Sequence, residues 1–442
     1  MADHARSTDA AVQAQLDRLW ALSPGADVLG LGRITQLLAR LGDPHLALPP
    51  VFHVAGTNGK GSTCAFLRTA LEAAGHRVHA YTSPHLVRFN ERIRIAGRLI
   101  DDAALAPLLA EVLDVGGDIG ASFFEVTTAA AFLAFARTQA DACVIEVGLG
   151  GRLDATNVLP APVACGIAAL GLDHQSFLGD TIEGIAAEKA GIAKSGSPLV
   201  TMAYPPSVAA TIATVAAEAG APLIRAAQEW GYESTSAGIA YRDRAGTLEL
   251  PRPTLSGAHQ ADNLALAVAM LRHQQAVAVP DAALSGAATT ARWPARLQLL
   301  RHGPLVSLAP VGMPVWLDGG HNPNAGDAIA ASLTPMLPTG RRSLVLILGM
   351  LANKDPAGFI APFADRIAQL IALPVPHHEH HDPQALATMA RTLGIPNTAT
   401  ATTAGEALAH IDAATGRPAA VLIAGSLYLA GEVLAANDEA PD

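Results

Sequence analysis

The segment Gly56-Thr57-Asn58-Gly59-Lys60-Gly61-Ser62-Thr63 sets a lysine and hydroxyl side chains among closely spaced glycines. An apolar run, PVFHVAG, leads into it, and a helical pattern, CAFLRTALEAAG, follows. Glycines let backbone N–H groups close on phosphate oxygens, and a helix N-terminus adds partial positive charge. Lys60 would bridge the β- and γ-phosphates of a nucleotide, and Ser62 or Thr63 would offer a hydroxyl to Mg2+. The plainer alternative is a Gly-rich turn between strand and helix, capped by Ser62. The common phosphate loop reads G-x-x-x-x-G-K-[ST]; here Gly61 separates Lys60 from Ser62, which marks a subfamily of nucleotide enzymes rather than the motor or GTPase set.

Three further clusters fall at strand ends, where open α/β sheets place their ligands. Ser83-Pro84-His85-Leu86 follows HAYT; Glu146 ends ACVIEVG and runs into GLGGRLDATN; Asp173-His174 follows VACGIAAL, with Glu188-Lys189 further on. An acid in an apolar strand is costly to bury unless it meets a cation, so Glu146 calls for Mg2+ or an arginine. His174 alone reads as a capping or core histidine; beside a phosphate loop it becomes a candidate ligand.

The elements that must hold these residues follow one rhythm. PVFHVAG, RVHAYTS, ACVIEVG, VACGIAAL, SPLVTMA and APLIRA read as strands, separated by amphipathic helical stretches. Apolar strands separated by helices imply a parallel sheet covered on both faces, a doubly wound α/β domain. Residues 231–253 break the rhythm with polar alternation and fit a small antiparallel element before a helix at His259–Gln274. ARWPARLQ, residues 291–298, reads as a hinge. Beyond it the alternation restarts, with PVWLDGG, SLVLILGM and VLIAGS as strands and GFIAPFADRIAQL as a helix. The expected division is 1–296, a P-loop ATPase and substrate domain, and 297–442, a smaller Rossmann-like α/β domain.

Composition narrows the function. The chain has 442 residues, half of them hydrophobic, with a net charge of −10. A generic nucleic-acid binder is disfavoured, since nothing would neutralise phosphates. Mean hydropathy is +0.29, yet the uncharged stretch Ala155–Leu172 is interrupted by Pro160 and Pro162, so no spanning helix is expected. The first twenty residues lack an apolar core flanked for export. Cys64, Cys143 and Cys165 show no CxxC spacing, as expected of reduced thiols in a cytoplasmic enzyme. His377-His378-Glu379-His380-His381, bracketed by prolines, reads as an exposed loop rather than a metal tract.

Taken together, AGTNGKGST, TSPHLVRFNERI, IEVGLGGRLDATN, LDHQSFLGDTIEGIAAEKAGI, LDGGHNPNAG and LGMLANKD resemble the folylpolyglutamate synthases, including the bifunctional bacterial dihydrofolate synthases, relatives of the Mur ligases. The resemblance implies ATP-dependent amide formation between a pteroate or folate carboxyl group and L-glutamate, giving ADP and phosphate. It assigns Asn58, Gly59, Lys60, Gly61, Ser62, Asn263, Arg296, Asp318 and His321 to ATP. Ser62, Ser83 and Glu146 would ligate one Mg2+ and His174 a second, with a monovalent cation as a further candidate. Leu29, Gly30, Leu31, Ser122, Phe123, Phe124, Glu125, Leu153, Asp154 and Ala155 resemble the stretches that contact the pterin. Lys60, His174 and Lys189 are the catalytic candidates, and Lys189 matches a lysine that relatives carry as a carbamate. The alternative for Lys189 is an exposed helical residue paired with Glu183 or Glu188. A monomer acting on small molecules (dihydropteroate, folates, glutamate, ATP), without nucleic-acid or membrane partners, is expected. A monofunctional folylpolyglutamate synthase, a Mur-type ligase acting on a UDP-sugar peptide, and a P-loop switch are the rival readings.

Overall fold

A computed structural model describes residues 5–22, 29–339, 341–411 and 419–442. By internal packing the chain divides into two units: Met1–Thr254 with Gln260–Arg292 and Asp442, and Leu255–His259 with Trp293–Pro441.

The first unit is built on an eight-stranded sheet. Its strands are β1 (Val51–Ala55), β2 (Val78–Tyr81), β3 (Ile93–Ile95), β4 (Arg98–Leu99), β5 (Ala142–Glu146), β6 (Ala164–Ile167), β7 (Leu199–Thr201) and β8 (Leu223–Arg225), ordered β4-β3-β2-β5-β1-β6-β7-β8. The strands from β2 to β8 across the sheet run parallel, and β3 and β4 add an antiparallel edge. Every residue of β1, β5 and β6 is buried, which is why these runs are apolar on both faces. From β1 the chain moves to β2 and β5 on one side, then crosses to β6 on the other. The carboxyl ends of β1, β5 and β6 therefore border the point where the winding reverses, the usual ligand crevice of such sheets.

A small antiparallel sheet follows, from β9 (Trp230–Ser234), β10 (Gly238–Asp243) and β11 (Gly246–Pro251), ordered β11-β10-β9. Exposed Glu249 alternates with buried Leu248 and Leu250 in β11, and the polar residues Glu233, Ser234 and Arg242 lie at exposed positions of β9 and β10.

The second unit has its own sheet of β12 (Gln298–Leu300), β13 (Val315–Leu317), β14 (Leu344–Leu348), β15 (Ile367–Ala372), β16 (Asn397–Thr400) and β17 (Ala420–Ala424), ordered β12-β13-β17-β14-β15-β16. All but β12 run parallel. Leu344, Leu346, Phe359, Phe363, Leu370 and Leu422 anchor a separate core. The helix expected over GFIAPFADRIAQL is not formed. A helix spans only Pro356–Ile360, a 3-10 turn follows, and IAQLIA is strand β15. Pro362 has no N–H to continue an α-helix, and Phe363 leaves helical geometry at φ −133°. Among the described residues no helix is long and apolar enough to cross a membrane.

Candidate active site

Strand β1 delivers the chain directly into Gly56, whose φ of +152° and close neighbour favour glycine: a Cβ there would lie 2.9 Å from that of Ala168. Gly59, at φ +83°, is the N-cap of the helix Lys60–Ala73. The helix starts at Lys60, so Ser62 lies inside its first turn and is not its cap. The loop is tied to the segment after β6. The backbone N–H groups of Thr57 and Asn58 donate to the Ala169 carbonyl (2.8 and 3.1 Å), and the Thr57 hydroxyl donates to that of Gly171 (3.0 Å). Two and three residues on stand Asp173 and His174. On the other flank, a Cβ at Gly59 would meet Asn263 Oδ1 at 2.3 Å, so Asn263, from the helix His259–Arg272, rests on the phosphate loop.

Lys60 Nζ donates to the Gly56 carbonyl at 3.0 Å, and Lys189 Nζ donates to the same oxygen at 3.0 Å. Lys189 is buried, and desolvation followed by the charge of Lys60 brings its pKa down to about 7, against the opposing pull of Asp173 and Asp154. The expected alternative, an exposed lysine paired with Glu183 or Glu188, does not hold. Glu188 pairs with Arg152 (2.6 Å) and Glu183 accepts from the Ser207 hydroxyl (2.7 Å).

Glu146 ends β5 and is buried, and the Ser83 backbone N–H donates to its Oε2 at 3.3 Å. The register pairs Glu146 with Val54, one residue before the end of β1. Burial pushes the Cys64 thiol well up, and the charge of Glu146 adds to the rise. His174 holds a left-handed backbone (φ 52°), with its N–H donating to Asp173 Oδ1 at 2.8 Å. Among the described residues no three His, Cys, Asp or Glu side chains gather as a metal-binding group. The candidate set instead combines hydroxyls and a carboxylate with one imidazole, and the buried Thr63 hydroxyl oxygen has no hydrogen-bond partner. Hard oxygen donors that leave positions for water and phosphate suit Mg2+.

The three pterin-like segments also meet. Ser122 caps the helix Phe123–Arg137 and forms a reciprocal box with Glu125. Arg33, just after Leu29-Gly30-Leu31, donates to Glu125 Oε2 at 2.9 Å. A Cβ on Gly148 would sit 2.3 Å from the Phe124 ring, so that ring lies over the loop carrying Leu153, Asp154 and Ala155. Phe123 turns the other way, into the core, stacked on Trp20 at 5.4 Å. Asp154 is buried, and burial raises its pKa while backbone N–H groups and Thr156 oppose the rise.

In the second unit, Asp318 follows β13. Its Oδ2 accepts from Leu297 N (2.7 Å) and its Oδ1 from Gly320 N (2.6 Å). A Cβ on Gly319 would lie 3.1 Å from an Arg296 nitrogen, and His321 Nδ1 is 3.1 Å from the Gly319 carbonyl oxygen. Arg296, Asp318 and His321 thus form one group at the carboxyl end of β13.

Residues 305–427 match the Mur ligase, glutamate ligase domain family. The dihydrofolate synthase/folylpolyglutamate synthase of Escherichia coli K12 is 40% identical over 334 residues, covering 75% of this chain and 74% of that protein. The structure of Escherichia coli FolC in complex with DHPP and ADP is similar at a TM-score of 0.85, with 34% identity, over 96% of this chain and 97% of the other. The Yersinia pestis bifunctional folylpolyglutamate synthase/dihydrofolate synthase complexed with AMPPNP and Mn gives a TM-score of 0.83 and 32% identity, over 97% and 99%. The chain belongs to the folylpolyglutamate synthase/dihydrofolate synthase family. It is accordingly an ADP-forming ligase, with the Mur-ligase-like fold of that family.

Within this member of the family, the histidine tract contacts neighbouring segments as well as its own loop. His381 Nε2 lies 2.9 Å from the Lys354 carbonyl, His380 Nδ1 lies 2.7 Å from that of His378, and His378 stacks on Tyr428 at 3.8 Å. Sequence reasoning did not single out Thr57 or Arg33, whose bonds to the Gly171 carbonyl and to Glu125 join distant segments of this region. Neither carries a signal in the sequence, because each is a polar residue in a polar segment.

Proposed function

We propose that this protein joins L-glutamate to 7,8-dihydropteroate, and also to reduced folylglutamates, through an acyl phosphate made with ATP. The observation that carries the reading is the convergence of the phosphate loop, the Ser83–Glu146 pair, Lys189 and the three pterin-like segments at the carboxyl ends of β1 and β5. The complexes of relatives with DHPP, ADP and AMPPNP support it.

A carboxylate does not react with an amine because its leaving group would be oxide. Transfer of the γ-phosphoryl group gives an acyl phosphate; the glutamate amine attacks its carbonyl carbon, and phosphate departs as the amide forms. The first step joins two anions, so charge neutralisation is the main demand. Lys60 turns from the Gly56 carbonyl to the β- and γ-phosphates, with the backbone N–H groups from Gly59 to Ser62 around them. Ser62, Ser83 and Glu146 would hold one Mg2+ and His174 a second. Bound there, the ions would withdraw charge from the transferring phosphoryl group. Lys189, as a carbamate, would supply an anion able to accept a hydrogen bond from His174. By the family resemblance, Asn263 in the first unit is a proposed ATP contact, as are Arg296, Asp318 and His321 in the second. Leu29–Leu31, Ser122, Phe124, Glu125 and Leu153–Ala155 would enclose the pterin, whereas Phe123 faces the core.

Incubation with ATP, glutamate and each pterin in turn, followed by product mass, tests the reading. Two glutamylated products mean both activities; extension of folylglutamates alone means the monofunctional enzyme. ATP turnover that ignores pterin and glutamate would overturn the proposal in favour of a switch ATPase.

A further inference from the structure

We infer that His53 and Thr156 are positioning residues of the pterin site, holding the Asp154 carboxylate, and with it the 148–156 loop, in one orientation. The inference rests on the ligase reading above.

His53 lies on β1 with no exposed surface, and its Nε2 is 2.8 Å from Thr156 Oγ1. The Thr156 hydroxyl donates to Asp154 Oδ1 at 2.5 Å, and the Thr156 backbone N–H donates to the same oxygen at 2.9 Å. A hydroxyl has one proton to give, so its contact with the imidazole must be donated by the ring. His53 is therefore the neutral Nε2–H tautomer, and burial keeps it neutral, with a pKa of about 3. Its Nδ1 is buried with no partner. A buried unpaired acceptor is costly, and an aliphatic side chain would fill the same strand position without that cost. What the imidazole supplies is one donor at the end of a chain running from His53 through Thr156 to Asp154.

That chain sets the loop. The other Asp154 oxygen accepts from Leu149 N at 2.8 Å, so the carboxylate pins both ends of the segment from 149 to 156. Inside this segment Gly151 lies against the backbone of Lys189, where a Cβ would be 2.9 Å from the Lys189 carbonyl oxygen. At its start Gly148 lies under the Phe124 ring. Three residues beyond His53 the same strand becomes the phosphate loop at Gly56. One buried donor therefore fixes the pterin-side loop relative to the strand that presents the nucleotide side.

The test compares T156V, which removes the hydroxyl at nearly constant volume, with T156S, which keeps it. T156V is expected to raise KM for dihydropteroate roughly tenfold, the effect of losing one hydrogen bond to a charged group. KM for ATP should stay within about twofold, and T156S should restore the parent value. H53L should show the same split, whereas H53Q, which keeps an N–H donor, should recover most of the affinity; this pair decides the matter if T156V does not fold. An unchanged pterin KM in both T156V and H53L, T156S as impaired as T156V, or pterin and ATP KM rising together would overturn the inference. Fluorescence titration of the parent with dihydropteroate separates the two levels. Absence of saturable binding there removes the ligase reading itself, whereas saturable binding with unaffected variants removes only the role of His53 and Thr156.

Discussion

Lys60 and Lys189 donate to one and the same oxygen, the carbonyl of Gly56, each at 3.0 Å. The charge of Lys60 adds to the cost of keeping a proton on the buried Lys189. Lys60 sits at the mouth of a glycine loop, where polyphosphate can draw it away. Lys189 is buried, and its shift toward the neutral amine is the requirement for adding CO2.

Lys60→Ala should nearly abolish ligation while leaving the melting temperature close to that of the parent, because a lysine facing phosphate supports no core. Product formation within a few-fold of the parent would show that the nucleotide is not held by Gly56–Thr63.

Lys189→Ala should lose activity, and a short carboxylic acid added to the buffer should restore part of it by filling the position of the carbamate anion. In the parent, 13C-labelled bicarbonate should give a carbamate resonance that this variant lacks. A parent spectrum without that resonance, or a fully active variant, ends the carbamate assignment.

The same lysine sets a pH trend. Its folded-state pKa of about 7 lies below the ordinary lysine value of 10.5, so the unfolded chain binds more protons between these limits. The penalty of a buried ammonium is complete below about pH 7 and fades as the pH rises toward 10.5. In CO2-free buffer, Lys189→Met should therefore raise the melting temperature more at pH 6 than at pH 10. An equal gain at both would mean that the lysine titrates normally in the fold.

Gly148→Ala places a methyl group 2.3 Å from the Phe124 ring, which must swing aside. The expected result is a rise in KM for the pterin substrate of about tenfold or more, with KM for ATP little changed. Equal effects on both would place Phe124 outside the pterin site.

Asp318→Ala removes the acceptor for two backbone N–H groups, those of Leu297 and Gly320. Leaving them unpaired should cost about 1–3 kcal/mol of stability, and ATP affinity should fall because the segment carrying Arg296 loses its anchor. Asp318→Asn, with one acceptor oxygen, should be intermediate. Nucleotide affinity unchanged in both variants, measured by calorimetry, would remove the second unit from ATP binding.

What the sequence made legible was chemistry attached to strand ends. Strands β1, β5 and β6 are buried at every position because both faces are covered and are apolar but for His53 and Glu146, so the polar residues in and after them stand out. Contacts between distant segments were not legible. Nothing in the spacing of Arg33 and Glu125 announces their ion pair, and Thr57 looks like any loop threonine until Gly171 is brought to it. The misread helix at GFIAPFADRIAQL has a local cause. Its apolar residues fit helical spacing until Pro362, and IAQLIA, too short to distinguish helix from strand by pattern, was claimed by the sheet.

The order β12-β13-β17-β14-β15-β16 has a consequence for biosynthesis. The strand at the middle of the second sheet is the last of its strands to leave the ribosome. Until Ala420–Ala424 emerges, β13 and β14 have no partner between them, and each presents an open, apolar parallel edge. Such edges recruit other chains. The second unit must therefore wait, unzipped, for its central stave, while β1 to β8, complete by Arg225, can close long before.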